Sequence, residues 1–431
     1  MKHLKVSPAS SVKGAIRVPG DKSVSHRSIM MGSLATGKTR VSNFLASADC
    51  LSTARIFKSM GVRIRRKGSD VVIVGRGLRG LTAPKGVLDA GNSGTTSRIL
   101  LGLLAGQPFA CRLDGDKYLR RRPMRRVTGP VRLMGAVFRG RGDASYLPIE
   151  VKGGSLRGIT YRLPVASAQV KSALLLAGLY AKGATTVIEP MATRDHTERM
   201  FSMFGIPYKK KGLRVTVKGP VKPFEGRRVT VPGDISSAAF FIVAALITPS
   251  SRLVLKGVGV NPTRTGLLDV LRRMGARIRV ARKKAARGGE PLADLVVESS
   301  RLKGVTVGGA DVPRMIDEFP VLAVAASQAH GVTRVLDAGD LRVKESDRIE
   351  AVTAFLVKMG ADIRSTRDGW VIRGPRRLKG AAVDSHGDHR IAMSAAVAGL
   401  VASGPTVIRD TENIDTSFPG FERLLRKVVK K

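Results

Sequence analysis

Apolar positions along the chain gather into six long runs that carry polar residues mainly at their front ends. They are SVSHRSIMMGSLA, GNSGTTSRILLGLLAG, SAQVKSALLLAGLYA, ISSAAFFIVAALI, DEFPVLAVAASQA and DHRIAMSAAVAGLVA. Segments of about 13–16 residues that are apolar nearly all round read as helices buried at the centre of a domain, and they are too short to span a membrane. Each is followed by a short strand-like stretch: RVSNF, FACRL, TTVIE, RLVLK, TRVL and TVI. Five further segments, KSMGVRI, RLMGAVF, SMFGIPY, RRMGARI and VKMGADI, place Gly61, Gly135, Gly205, Gly275 and Gly360 where a second helix should end in a left-handed cap. These glycines recur at intervals of roughly 70–85 residues, the period of a supersecondary unit used repeatedly. After each comes a pair of alternating stretches, such as VRIRRKGSDVVIVG and ADIRSTRDGWVIRG, that reads as a β-hairpin. The sixth unit ends in the helix FPGFERLLRKVV without a hairpin. The opening LKVSPASSVKGAIRV is expected to be an orphan hairpin that completes it.

The repeat has a second level. VPGDKSVSHR, Val18 to Arg27, returns in reduced form as VPGDISSAAF, Val231 to Phe240, and each copy opens one of the apolar helices. Three units lie between these junctions and three outside them. The expected organisation is therefore one domain over residues 21–232 with repeats 1–3, and a discontinuous one built from 1–20 plus 233–431 with repeats 4–6. Hinge crossings would lie near 18–21 and 231–234, with the active site in the cleft between the domains.

Composition narrows the class. With 431 residues, 43% of them hydrophobic, the chain can build real cores. No stretch is long enough for a membrane span, and MKHLKVSPASS has no apolar signal-peptide core, so a cytoplasmic protein is expected. Cys50 and Cys111 are too few for a disulfide framework and lack zinc-site spacing, and both read as small core residues. The net charge of +42 raises the alternative of a nucleic-acid-binding protein. Its basic residues are spread over hairpins such as RIRRKGSD, YKKKGLR and ARKKAARGG, with 4% aromatics and no stacking platform. Specific nucleic-acid binding is not expected, although the charge would concentrate phosphorylated metabolites near the surface.

The charged and hydroxyl residues of the apolar helices sit at their N-termini, where free N–H groups and the helix dipole favour anions. They are Lys22, Ser23 and Arg27; Asn92, Gly94, Thr95 and Thr96; Ser167 and Gln169; Asp317 and Glu318; and His389 and Arg390. Arg122 in RRRPM, Thr193 and Arg194 in ATRDHT, and Lys344, Glu345 and Arg348 in RVKESDRIE join them. This collection can bind several anionic groups and holds carboxylates able to move protons. It offers no nucleophile dyad and no metal constellation, so transfer between two anionic substrates follows more naturally than hydrolysis. Asp21 and Asp234 read as N-caps, Arg98 as a brace for its helix, and DSHGDHR as a turn rather than a metal site.

PGDKSVSHR, LDAGNSGTTSR, RRPMRRV, RVKESDRI and GDHRIAM together, in this order, closely resemble the 5-enolpyruvylshikimate-3-phosphate synthase family, over about Lys5 to Leu425. The resemblance implies an α/β fold: a two-domain inside-out α/β barrel, the enolpyruvyl transferase fold, with six βαβαββ-type units, three per domain. It implies transfer of the enolpyruvyl group of phosphoenolpyruvate to the 5-hydroxyl of shikimate 3-phosphate, with no metal and no organic cofactor, by a monomer that binds no membrane. Carried over by motif, Ser23 and Arg27 hold the shikimate carboxylate, and Ser167, Ala168, Thr193 and Arg194 its phosphate. Gln169 touches both ligands and Lys22 bridges them. Arg122, Arg348 and Arg390 clamp phosphoenolpyruvate beside Asn92, Gly94, Thr95 and His389. Asp317 accepts the hydroxyl proton, Lys344 orients that hydroxyl, and Glu345 exchanges a proton with the methylene carbon. In this family glyphosate occupies the phosphoenolpyruvate site beside the GNSGTT turn, and Gly94 leaves room for it. Thr193, His196, Asp340 and Thr416 stand where the best-known bacterial pattern has serine, tyrosine, asparagine and lysine, and the TRDHT and DTSFP contexts resemble a more divergent branch. The sister transferase acting on UDP-N-acetylglucosamine is the enzymatic alternative. It normally has asparagine after the junction lysine and a loop cysteine, whereas this chain has Ser23 there and Cys111 in a predicted strand.

Overall fold

The computed structural model describes residues 2–284 and 289–430. Part of the basic stretch ARKKAARGG therefore lies outside the described residues. The chain forms two compact units, each with its own hydrophobic core. A continuous unit holds Gly20 to Val231 together with Gly289 and Glu290. A discontinuous unit holds the residues up to Pro19, Pro232 to Lys284, and the chain from Pro291 onward.

The continuous unit contains α1 (Lys22–Leu34), α2 (Ala48–Ser59), α3 (Gly94–Ala105), α4 (Arg125–Leu133), the four-residue α5 (Arg141–Ala144), α6 (Ala168–Gly178) and α7 (His196–Phe204). α1, α3 and α6 are buried along nearly their whole length. α3 packs against α6 so closely that a Cβ on Gly102 would fall 2.1 Å from the Ala173 carbonyl oxygen. The discontinuous unit contains α8 (Ile235–Ile247), α9 (Gly266–Arg273), α10 (Asp311–Met315), α11 (Phe319–Ser327), α12 (Arg348–Lys358), α13 (His389–Gly399) and α14 (Phe421–Val428). Here α8, α11 and α13 pack on one another and are buried. The six core helices run from 9 to 13 residues. α3, α6, α11 and α13 are shorter than their apolar runs, in part because front residues such as Ser93, Ser167 and Asp388 are N-caps whose side chains accept a first-turn N–H. Asp21 and Asp234 cap α1 and α8 in the same way.

Among the described residues each unit also has three sheets. Four of the six core helices connect parallel neighbours; α3, for example, runs between Leu88–Asp89 and Ala110–Asp114. In the sheets of α3, α6 and α11 an antiparallel hairpin then extends the sheet. All five glycines expected to cap second helices have positive φ, from 72° to 104°.

At the two junctions the pattern is exchanged. Ser11–Ile16, just before α1, pairs in parallel with Arg252–Gly259, the strand after α8. Reciprocally, Arg228–Thr230, just before α8, pairs in parallel with Lys38–Ser42, the strand after α1. The expected N-terminal hairpin does not form. Leu4–Val6 instead pairs with Thr406–Arg409, and Ser11–Ile16 takes Arg252–Gly259 on one edge and Val429–Lys430 on the other. Alternation marks these segments as strands, but their partners are remote in sequence.

Candidate active site

In the continuous unit, capping by Asp21, which accepts from the Val24 N–H at 2.9 Å, fixes the start of α1. Lys22 there forms an ion pair with Asp49 of α2. Arg27, one turn on, is buried: its Nε donates to Thr197 Oγ1 at 2.8 Å, Nη2 to Ser172 Oγ at 2.7 Å and Nη1 to the Ser23 carbonyl at 3.1 Å. Burial, helped by nearby Arg194, lowers its pKa to about 10 against the pull of Glu198, so it remains a cation at neutral pH.

The start of α3 is a second anchor. Asn92 Nδ2 donates to Asp116 at 2.9 Å. A Cβ on Gly94 would lie 3.1 Å from the Arg122 guanidinium and 3.1 Å from Arg98 Nη1, so this glycine lets two cations lie against the helix end. Arg98 Nη1 also donates to Gln169 Oε1 at 2.9 Å, while Gln169 Nε2 donates to Thr95 Oγ1 at 3.1 Å, which fixes the amide between α3 and α6. Ser167 caps α6 by accepting from the Val170 N–H, with Ala168 and Gln169 as the first helical residues. Thr193 turns both its donors, N–H and O–H, toward Glu189 Oε1.

In the discontinuous unit Arg348 is the centre. It is buried, yet three carboxylates surround it. Its Nε donates to Asp388 Oδ2 at 2.8 Å, Nη2 to Glu345 Oε2 at 2.7 Å, and Nη1 lies 3.6 Å from Asp317 Oδ1. Burial works against that cation, but Asp388 and Glu345 prevail and raise its pKa. Burial likewise opposes the charge on Asp388, whose pKa Arg348 still draws down. Asp388 Oδ1 caps α13 through the Arg390 N–H at 2.9 Å, and the Arg390 side chain reaches the Asp317 carbonyl at 3.0 Å. His389, the first residue of α13, is buried. Lys344 has its pKa lowered, burial outweighing the pull of Asp317, Asp340 and Glu345.

Asp317 and Glu318 separate by environment. Glu318 is buried, accepts from Ser236 Oγ and lies 3.8 Å from Arg264 Nη2, whereas the Asp317 side chain keeps 20% exposure and the Glu345 side chain 26%. Only the latter two can meet a ligand while touching a guanidinium.

The residues named from sequence thus fall into two sets. Lys22, Ser23, Arg27, Asn92, Gly94, Thr95, Arg122, Ser167, Ala168, Gln169, Thr193 and Arg194 lie in the continuous unit, and Asp317, Lys344, Glu345, Arg348, His389 and Arg390 in the discontinuous one. Asp49 and Glu189 went unnoticed although each holds a named residue, and Asp388 was read only as part of the DSHGDHR turn, without its bond to Arg348. Their sequence signal is slight, because an acid near a helix start reads first as a cap. Cys50 is buried, while Cys111 is only partly so and packs against the core from Ala110–Asp114.

A family model described as EPSP synthase (3-phosphoshikimate 1-carboxyvinyltransferase) matches residues 6–425. The 3-phosphoshikimate 1-carboxyvinyltransferase of Desulforudis audaxviator is 60% identical over 426 residues, 99% of both chains. That of Geobacter sulfurreducens is 55% identical over the whole of both chains. A solved structure of EPSP synthase from Acinetobacter baumannii superposes with a TM-score of 0.90 at 46% identity, covering 100% of this chain and 98% of that one.

Proposed function

Because the chain belongs to the EPSP synthase (3-phosphoshikimate 1-carboxyvinyltransferase) family, we propose that its two polar sets serve one reaction. That reaction transfers the enolpyruvyl group of phosphoenolpyruvate to the 5-hydroxyl of shikimate 3-phosphate and releases inorganic phosphate, a step of the shikimate pathway toward aromatic amino acids. Ser23 and Arg27 take the shikimate carboxylate, while Ser167, Ala168, Thr193 and Arg194 take the 3-phosphate. Arg122, Arg348 and Arg390 clamp phosphoenolpyruvate with Asn92, Gly94, Thr95 and His389. Lys22 and Gln169 serve both substrates. Guanidinium groups suit this work because their planar forks make paired bonds to carboxylate and phosphate.

Asp317 removes the 5-hydroxyl proton as that oxygen bonds to C2 of phosphoenolpyruvate, and Lys344 orients the hydroxyl. Glu345 gives a proton to the methylene carbon, which becomes a methyl group. The tetrahedral intermediate carries both a phosphate and a carboxylate, and the fixed cations stabilise it. In the elimination Glu345 takes back a proton from the methyl group, the bond from C2 to the phosphate oxygen breaks, and phosphate departs with the proton held on Asp317.

The observation that carries this reading is the clasp of Arg348. Its buried bond to Asp388 fixes the guanidinium, and the two remaining carboxylates, Asp317 and Glu345, are partly exposed. The test is phosphate release by the purified chain. Release that requires both phosphoenolpyruvate and shikimate 3-phosphate is expected, with none when UDP-N-acetylglucosamine replaces the latter; release with that sugar nucleotide instead would overturn the assignment.

A further inference from the structure

The continuous unit buries charges that the reaction above does not use. Lys171 lies in α6 with its side chain fully enclosed, 2.9 Å from Glu189 Oε2 and 2.7 Å from Glu198 Oε1. Ion pairs out of water add little stability by themselves, so their presence calls for another account. Here each neighbour leads to a proposed ligand contact. Glu189 Oε1 accepts both donors of Thr193. The residues following Lys171 and preceding Glu198, Ser172 and Thr197, hydrogen-bond at 2.7 Å, and both accept from Arg27.

We propose that Lys171 is a positioning residue for shikimate 3-phosphate: it neutralises the carboxylate that anchors Thr193, so that a phosphate dianion can approach that threonine. The inference rests on the substrate assignment above. Glu189 stands one hydrogen bond behind a proposed phosphate contact, and an uncompensated carboxylate there repels the ligand in a setting where water screens poorly. Phosphoenolpyruvate, assigned to other side chains, is little affected.

The test uses full-length variants. Lys171→Met/Glu198→Gln leaves Glu189 ionised without its cation, while Lys171→Met/Glu198→Gln/Glu189→Gln has no charge at any of the three positions and still offers Thr193 an acceptor. In the double variant the KM for shikimate 3-phosphate should rise tenfold or more, with kcat and the KM for phosphoenolpyruvate within about threefold. The triple variant should return the first KM to within about threefold of wild type. Equal KM values in the double and triple variants, or parallel loss in kcat and both KM values, would overturn the proposal. If the double variant does not fold, Glu189→Gln alone decides: it should lower the KM for shikimate 3-phosphate, and a tenfold rise refutes the electrostatic role. A wild-type chain that releases no phosphate from the two substrates refutes the substrate assignment instead, so the two failures are distinguishable.

Discussion

At the scale of single residues, acids hold one cation of each polar set: Asp49 holds Lys22 in the continuous unit, and Asp388 and Glu345 hold Arg348 in the discontinuous one. Asp317→Asn and Glu345→Gln should each lower kcat by about 10²-fold or more while shikimate 3-phosphate binding, measured by calorimetry, persists. Near-normal turnover in both would remove the acid and base roles. Gly94→Ala places a methyl 3.1 Å from the Arg122 guanidinium and from Arg98, and a close-packed site must shift a cation to admit it. The KM for phosphoenolpyruvate should therefore rise several-fold and the glyphosate inhibition constant rise more; an unchanged ratio of the two would show that this position does not gate the pocket. The ligand-facing candidates could be named from sequence because they cluster in short motifs at helix starts. The groups behind them could not, since Asp49, Glu189 and Asp388 meet their partners only after folding. Lys171 left the clearest trace, a lone charge inside AQVKSALLLAG.

Among the elements, contact between core helices depends on small residues and on a buried polar chain. Gly102→Ala would drive a Cβ into the Ala173 backbone, so α3 and α6 must separate, at a cost of roughly 1–3 kcal/mol that a urea midpoint would report. A second tie runs from His26 Nδ1 on α1 to Thr53 of α2 at 2.7 Å, and on through Thr96 to Ser93 at the start of α3. Burial, then the charges of Lys22 and Arg27, hold the His26 pKa well below its ordinary value. Below about pH 6.5 the unfolded chain takes up a proton that the folded one refuses. His26 should accordingly cost stability as pH falls from about 6.5 toward its folded pKa, with a slope up to about 1.4 kcal/mol per pH unit. Urea titrations between pH 7 and 5 should show a shallower loss in His26→Gln; identical slopes would exclude the effect. Helix order, caps and hairpins were legible because each is written within a few residues. The N-terminal hairpin was misread because hydrophobic alternation fixes the buried face of a strand and says nothing about a neighbour far along the chain.

For the molecule as a whole, the exchange at the junctions closes the continuous unit with its own last strand, Arg228–Thr230, and makes the discontinuous unit depend on the N-terminal strand Ser11–Ile16. Removing residues 1–19 strips Ser11–Ile16 from between Arg252–Gly259 and Val429–Lys430, exposing the apolar edge of a five-stranded sheet. That truncated chain should aggregate on expression, and recovery of a soluble, active protein would show the strand to be dispensable. The same pairing has a consequence for the nascent chain. Ser11–Ile16 leaves the ribosome well before its parallel partner, which is about 240 residues further along, and at roughly 5–20 residues per second that is a wait on the order of ten to fifty seconds. Its second partner, Val429–Lys430, emerges later still. Through that interval the segment is unpaired, and Lys13 and Gly14 within it, with Arg17 just beyond, make it polar and irregular, a composition suited to a strand that must stay unattached until both partners arrive.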